Sequence, residues 1–229
     1  MEKYRIAGLT VEMEAFGRTK LQAEPYRIET DAPADITITC DAAKVLELNP
    51  YMGDLDMAYY VGSGIHFTWG LLRHQGTYIH SSAILLDGKA YLFSADSGTG
   101  KSTHTEKWCR LFGATYLNDD KPAVRLENGV WIAYGTPWSG KHDLSSPEWA
   151  PIGGIAFLKR GDTNAIVPMT PKDAVSKLIP QSMWKLSREM MINQLDLTDH
   201  LLRNVPIWEL TCQNNDEAAL LSHKVMTGR

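Results

Sequence analysis

The sequence predicts an α/β fold organised around one phosphate-holding loop, with a β-rich extension ahead of it. Three observations carry that prediction. A short apolar run, Lys89-Ala90-Tyr91-Leu92-Phe93, leads into the glycine-rich turn Ala95-Asp96-Ser97-Gly98-Thr99-Gly100-Lys101-Ser102-Thr103, as a buried strand leads into a loop. Behind the turn, Trp108, Leu111 and Phe112 fall at helical spacing and the pattern stops at Gly113. Ahead of residue 75, apolar and polar residues alternate, the pattern of strands with one wet face.

Taken in order, Leu9, Val11 and Met13 and then Ile36, Ile38 and Cys40 show that alternation, with turn residues at Ala32-Pro33-Ala34-Asp35 and Asn49-Pro50 between the runs. A further strand is expected at Met57–Val61, ending in a turn at Gly62-Ser63-Gly64. Thr77–Leu86, Asp87-Gly88 and Lys89–Phe93 have the form of a hairpin feeding the loop. After the helix over Thr103–Phe112, Ala114–Asp120 reads as a short strand ending in two acids. Pro122–Leu126 and Val130–Tyr134 read as a second hairpin around Glu127-Asn128-Gly129. Gly135–Asp143 is a polar loop, Gly154–Lys159 a core strand, Pro171–Ile179 and Ser187–Asn204 helices, Ile207–Leu210 a strand and Asp216–Met226 a closing helix. The expected division is a β-rich extension over 1–75, packed on a main domain over 76–229.

A chain of 229 residues with 44% hydrophobic and 22% charged residues suits one sizeable globular domain, or one with a small appendage. The net charge of −4 argues against nucleic acid or an anionic membrane as partner. Cys40, Cys109 and Cys212 are far apart and lack metal-ligand spacing, so buried thiols in a reducing compartment are expected. Met1-Glu2-Lys3-Tyr4-Arg5 lacks the apolar core of a signal peptide, and no run reaches the ~20 apolar residues of a membrane span. A cytoplasmic location is the expectation, and oligomeric state is open.

The chemistry of the loop follows from its residue types. Gly98 and Gly100 allow backbone conformations in which several N–H groups point inward. The free amides and dipole of the following helix add to the pull on a polyphosphate. Asp96, Ser97, Gly98, Thr99, Gly100, Lys101, Ser102 and Thr103 are therefore the candidate nucleotide-binding residues. Lys101 is suited to the β- and γ-phosphates of ATP, and the Ser102 hydroxyl to a bridging Mg²⁺. The usual pattern, G-x-x-x-x-G-K-[ST], begins here with Ala95 instead of glycine.

Phosphoryl transfer also needs a group beside the acceptor. Asp119 and Asp120, at the end of a predicted strand, are the candidates. Neighbours on a strand point to opposite sides, so one can face Mg²⁺ while the other meets an acceptor hydroxyl. A solvated Asp-Asp turn before Lys121-Pro122 is the competing reading. His80, on the incoming strand, is either a core histidine or a member of the site. Lys141 and His142 lie in a loop that can reach the γ-phosphate or face solvent, and His104 is either a surface residue or one stacked on nucleotide. Trp131, Trp138, Trp149, Trp184 and Trp208 read as core and lid packing, and Arg188 and Arg203 as helix-surface charges.

With Ile79-His80, Ser97-Gly98-Thr99-Gly100-Lys101-Ser102 and Leu117-Asn118-Asp119-Asp120 in this order and spacing, the chain resembles the bacterial HPr kinase/phosphorylase family and its shorter relatives. That family shares a nucleotide-binding fold with ATP-dependent phosphoenolpyruvate carboxykinase. The resemblance covers residue 76 to the end and implies a mixed sheet. It also implies a base or proton-shuttle role for Asp119, metal support from Asp120 with Ser102, phosphate binding by Lys101 and the loop, and assistance from His80. The activity it implies is ATP- and Mg²⁺-dependent transfer to a hydroxyl, foremost a serine of a protein or peptide. A catalytically silent nucleotide-binding regulatory module is the alternative. A carboxykinase is disfavoured because 229 residues leave no room for that family's organic-acid domain.

Overall fold

The computed structural model describes residues 1–182 and 186–229. The chain begins with β1 (Glu2–Ile6), β2 (Leu9–Met13), α1 (Gly17–Ala23), β3 (Arg27–Ile28), β4 (Ile36–Ile38), α2 (Ala42–Leu48) and α3 (Leu55–Leu72). It continues through β5 (Gly76–Tyr78), β6 (Ser81–Leu86), β7 (Lys89–Ser94), α4 (Lys101–Phe112), β8 (Thr115–Asn118), β9 (Ala123–Glu127) and β10 (Val130–Tyr134). Last come β11 (Trp149–Arg160), β12 (Ala165–Pro168), α5 (Pro171–Ser182), α6 (Arg188–Asn204), β13 (Ile207–Cys212) and α7 (Asp216–Thr227).

The first four strands make a small sheet in the order β3-β1-β2-β4. The rest form a mixed nine-stranded sheet, β5-β9-β10-β11-β7-β6-β8, with β13 joined to β11 and β12 to β13. Two of its hairpins, β6–β7 and β9–β10, turn through Asp87-Gly88 and Asn128-Gly129 with positive φ at all four residues, the two-residue turn that matches strand twist. The long β11 joins the two parts of the sheet. Its start pairs antiparallel with β10, and beyond a bulge at Gly153 it runs parallel to both β7 and β13.

One expectation fails over Met57–Val61, which lies inside α3 rather than in a strand, with Gly62-Ser63-Gly64 midway along the helix. Asp54 starts that helix by accepting from the Met57 amide at 2.8 Å, satisfying one of the free N–H groups of the first turn. Of the cysteines only Cys212 is buried, Cys40 and Cys109 being half-exposed. Trp131 and Trp138 are buried, Trp149 is exposed, and Trp184 lies outside the described residues.

Three apolar clusters hold these layers. One packs α5 and α6 on one face of the large sheet, through residues such as Leu178, Leu197 and Leu201. Another packs α4 and α7 on the other face, through Trp108, Ala218 and Met226. The third joins Tyr4, Val11 and Ile38 of the small sheet to Phe67 and Leu71 of α3 and to Ile132 and Tyr134 of β10. Among the described residues no helix is long and apolar enough to cross a membrane.

Candidate functional site

The carboxyl end of β7 runs into the glycine-rich loop, and α4 starts at Lys101. Because β6 is antiparallel to β7 and to β8, the start of β6 and the end of β8 meet the same sheet edge. One strand therefore separates the loop from the acidic pair. The resulting groove is lined by His80, Ser97, Gly98, Gly100 to Thr103, Asp119, Asp120 and Gly140 to His142, and encloses about 420 Å³.

Gly98 and Gly100 have φ of 78° and 116°, a region that L side chains enter only with strain. The Thr99 amide closes a turn onto the Asp96 carbonyl at 3.2 Å. Among the described residues no protein acceptor takes the amides of Gly100, Lys101, Ser102 or Thr103, as at any helix start without a side-chain cap. Arg160, at the end of β11, donates to the carbonyls of Gly98 at 2.5 Å and Thr99 at 3.4 Å. That contact engages two of the loop's carbonyl acceptors.

Lys101 donates from Nζ to the Ala95 carbonyl at 3.0 Å. Burial lowers its pKa, while the charges of Asp120, Asp119 and Asp96 oppose that shift. The Ala95 position thus supplies a backbone oxygen for the lysine, which needs no glycine.

The two acids have different neighbours. Asp119 is buried and accepts from Ser82 Oγ at 2.6 Å and from Ser102 Oγ at 3.0 Å. Ser82 is held in turn against Thr105 Oγ1 at 2.8 Å. Asp120 faces His80, with 3.2 Å between Oδ1 and Nε2, and accepts from Lys121 Nζ at 2.5 Å. Burial alone would raise the Asp120 pKa, but the bond to His80 and the Lys121 charge outweigh it and hold the carboxyl at about 2. The other ring nitrogen of His80, Nδ1, meets Gln181 Oε1 at 2.9 Å. Asn118 Oδ1 takes the Asp120 and Lys121 amides at 2.9 and 2.7 Å, the side-chain turn that aims both acids.

Sequence reasoning missed Ser82, Thr105, Lys121, Arg160 and Gln181. Ser82, Arg160 and Gln181 reach the site only through strand pairing or the return of α5, so no local motif marks them. His104 is neither a surface residue nor a nucleotide-stacking one. It is fully buried, 4.8 Å from the Phe93 ring and bonded to Ser222 at 3.0 Å. Arg188 is exposed and Arg203 pairs with Asp199 on the helix surface.

Fold and contacts together define a mixed α/β protein in which a glycine-rich loop at a helix start shares a groove with Asp119 and the Asp120–His80 pair. No protein-family model matches the chain, and no curated protein matches it. Among solved structures the chain is similar to the Hpr(Ser) kinase/phosphatase from Coxiella burnetii, at 10% identity and a TM-score of 0.39, over 66% of this chain and 95% of that one. At that distance the likeness assigns no role to any residue here.

Proposed function

We propose that this protein transfers the γ-phosphoryl group of ATP to a hydroxyl, foremost a serine of a protein or peptide. The observation that carries the reading is one groove holding the Ser102 hydroxyl on Asp119 and, opposite it, Asp120 on His80. Loop residues Asp96 to Thr103 would hold the phosphates, with Lys101 moving from Ala95 to them. Hydroxyl and carboxylate oxygens are the donors a hard divalent cation takes, so Ser102 and Asp119 fit Mg²⁺. Among the described residues no group of three or more His, Cys, Asp or Glu residues could hold a metal unaided, so the ion would arrive with the nucleotide. Bound there, Mg²⁺ would neutralise charge between the β- and γ-phosphates.

These contacts favour a division of labour opposite to the one the resemblance implies. Asp119 is engaged with Ser102 on the phosphate side, whereas Asp120 and His80 face the acceptor side. The acceptor oxygen bonds to the γ-phosphorus as the bond from phosphorus to the bridging oxygen breaks, and ADP leaves. A carboxyl held near 2 is a weak base, so Asp120, fixed by His80, orients the hydroxyl, and the hydroxyl proton leaves to solvent as transfer completes. Orientation of this kind is most of what a loose phosphoryl-transfer transition state needs.

Isothermal titration with MgATP and transfer of labelled phosphate to a serine-peptide library test the reading together. Wild type should bind and transfer, Lys101→Ala should bind at least tenfold more weakly, and Asp120→Asn should bind normally but lose transfer by about 100-fold or more. No MgATP binding by wild type would overturn the reading. The close ion pair of Asp120 with Lys121 favours a second reading, a nucleotide sensor without turnover. Tight binding with no transfer to any library member would select it.

A further inference from the structure

The last turn of α5 lies against the Asp120–His80 pair and holds His80 in two ways. The His80 amide donates to the Gln181 carbonyl at 2.8 Å, and the ring meets Gln181 Oε1 at 2.9 Å through Nδ1. The His80 carbonyl accepts from the buried Ser94 Oγ at 2.8 Å. Backbone fixation at both amide and carbonyl leaves only the ring to turn. Because the His80 side chain is 32% exposed, packing alone does not stop it. Rotation that takes Nε2 away from Asp120 Oδ1, 3.2 Å distant, also breaks the bond to Gln181.

Gln181 is held in turn by a buried polar cluster outside the groove. Ser182 Oγ accepts from Gln194 Nε2 at 3.1 Å, and Gln194 Oε1 accepts from Thr77 Oγ1 at 2.6 Å. Ser182 Oγ also donates to the Leu178 carbonyl at 3.0 Å, and Gln194 Nε2 donates to Thr198 Oγ1 at 3.4 Å. Thr77, Ser182, Gln194 and Thr198 are all buried. Such an amide adds little net stability over an apolar side chain of the same shape, because its bonds replace bonds to water. What it supplies is a fixed spacing between β5, α5 and α6. The tie brackets the histidine and its partner, since Ser182 follows Gln181 directly and Thr77 lies three residues ahead of His80.

We propose that Gln181 is a positioning residue that acts through His80. It sets the ring so that the Nε2 hydrogen stays on Asp120 Oδ1, and the Thr77–Gln194–Ser182 cluster keeps Gln181 in place. Asp120 then has Oδ1 on His80 and Oδ2 on Lys121. Each carboxylate oxygen offers two lone-pair sites, so the fixed carboxylate can still accept from the acceptor hydroxyl. Gln181 does not line the groove, so its loss should slow transfer without weakening nucleotide binding. The inference rests on the phosphotransferase reading for that consequence, and on geometry alone for the placement of the ring.

Two measurements test it. In the first, transfer of labelled phosphate from MgATP to a serine-peptide library is compared in wild type, Gln181→Met, His80→Ala and the double variant. Gln181→Met keeps the side chain's length and removes its oxygen. It should lower kcat about tenfold or more while KM for MgATP stays within about twofold. On the His80→Ala background the same change should cost at most about twofold, because nothing is left for Gln181 to position. Thr77→Val, which unties Gln194, should repeat the kcat loss in smaller measure and serves if Gln181→Met misfolds. Unchanged kcat in both variants, or a Gln181→Met loss that recurs in full without His80, would overturn the proposal. In the second, the nucleotide-free protein carries ¹⁵N-histidine, with the His80 lines assigned through His80→Gln. In Gln181→Met the His80 Nδ1 line should move and the Nε2 hydrogen should exchange about tenfold faster or more. Ring lines and exchange identical to wild type overturn the proposal. The expected response in a protein that transfers no phosphate upholds the placement of the ring and overturns the phosphotransferase reading.

Discussion

Buried beneath the glycine-rich loop, His104 sits between Phe93 and Ser222, with Nδ1 bearing no partner among the described residues. Burial, with a smaller contribution from Lys107, pushes its pKa down to about 4. The folded protein therefore refuses a proton that the unfolded chain takes near pH 6.5. Stability from this residue is complete above pH 6.5 and is lost as pH falls towards 4, at about 1.4 kcal/mol per unit. From pH 7 to pH 5 the loss is roughly 2 kcal/mol. His104→Gln keeps a side chain able to bond Ser222 and removes the titration. Urea unfolding at the two pH values should show wild type losing about 2 kcal/mol more than the variant. His223, whose pKa is also lowered, is present in both and cancels. Asp120 has its pKa lowered to about 2, so its contribution is present above about pH 4 and is lost only as pH falls further, below this window. Equal slopes for the two proteins would refute the burial account. A lone histidine inside a helix carries no local sign of which face it occupies, and the sequence reading placed it outside. The loop glycines, Lys101, Ser102 and the acidic pair were legible because their chemistry is local. Their supports were not, because Ser82 and Arg160 arrive by strand pairing.

At the scale of an element, α3 shows why a helix was read as a strand and a turn. Three glycines, Gly62, Gly64 and Gly70, lie inside it, and glycine costs a helix interior about 1 kcal/mol relative to alanine. Each sits where another element comes close. A methyl at Gly70 would stand 2.6 Å from Ile36 Cγ2, and one at Gly62 would stand 2.6 Å from Cys40 Sγ. The propensity loss is the counterpart of a close approach between helix and small sheet, which only the folded arrangement reveals. Gly70→Ala should therefore destabilise by up to roughly 2 kcal/mol, since overpacking costs about 1–3 kcal/mol and the propensity gain returns about 1. Shortening the neighbour is the check. In a thermal or urea cycle, Gly70→Ala combined with Ile36→Ala should be less destabilised than the sum of the two single changes, and strict additivity would show that the methyl finds room. The hairpins were legible for the opposite reason. Asp87-Gly88 and Asn128-Gly129 state their turn type in two residues, and positive φ at each follows from the strand twist they must join.

Across the whole molecule, the segment that carries Lys141 and His142 to the groove is gripped from the N-terminal side. Arg18 donates to the Gly140 carbonyl and to Asp143 at 2.5 Å, and its guanidinium lies 4.8 Å from the centre of the Tyr60 ring. Gln22 donates to Ser139 Oγ at 3.3 Å, and the Tyr26 hydroxyl donates to the Ser146 carbonyl at 2.9 Å. The Arg18 amide in turn donates to Asp56 Oδ1 at 2.7 Å, which fixes α1 to α3. An ion pair with Asp143, itself more than half exposed, adds little to global stability, on the order of 1 kcal/mol or less. Its effect is local, on the order of the loop. The apolar cluster that spans the small sheet, α3 and β10 should make the two parts of the chain unfold as one unit. Arg18→Ala should then separate two observables. Tryptophan fluorescence and circular dichroism should report one coincident urea transition, with its midpoint nearly that of wild type. Hydrogen exchange over residues 139–143 should quicken by tenfold or more, led by the Gly140 amide as Tyr60 loses the guanidinium over its ring. Arg18→Lys should restore little of the protection, because an ammonium lacks the planar fork that meets carbonyl, carboxylate and ring together. Two transitions in wild type would divide the molecule near residue 75. Unchanged exchange in Arg18→Ala would show that the loop holds its place without the N-terminal grip.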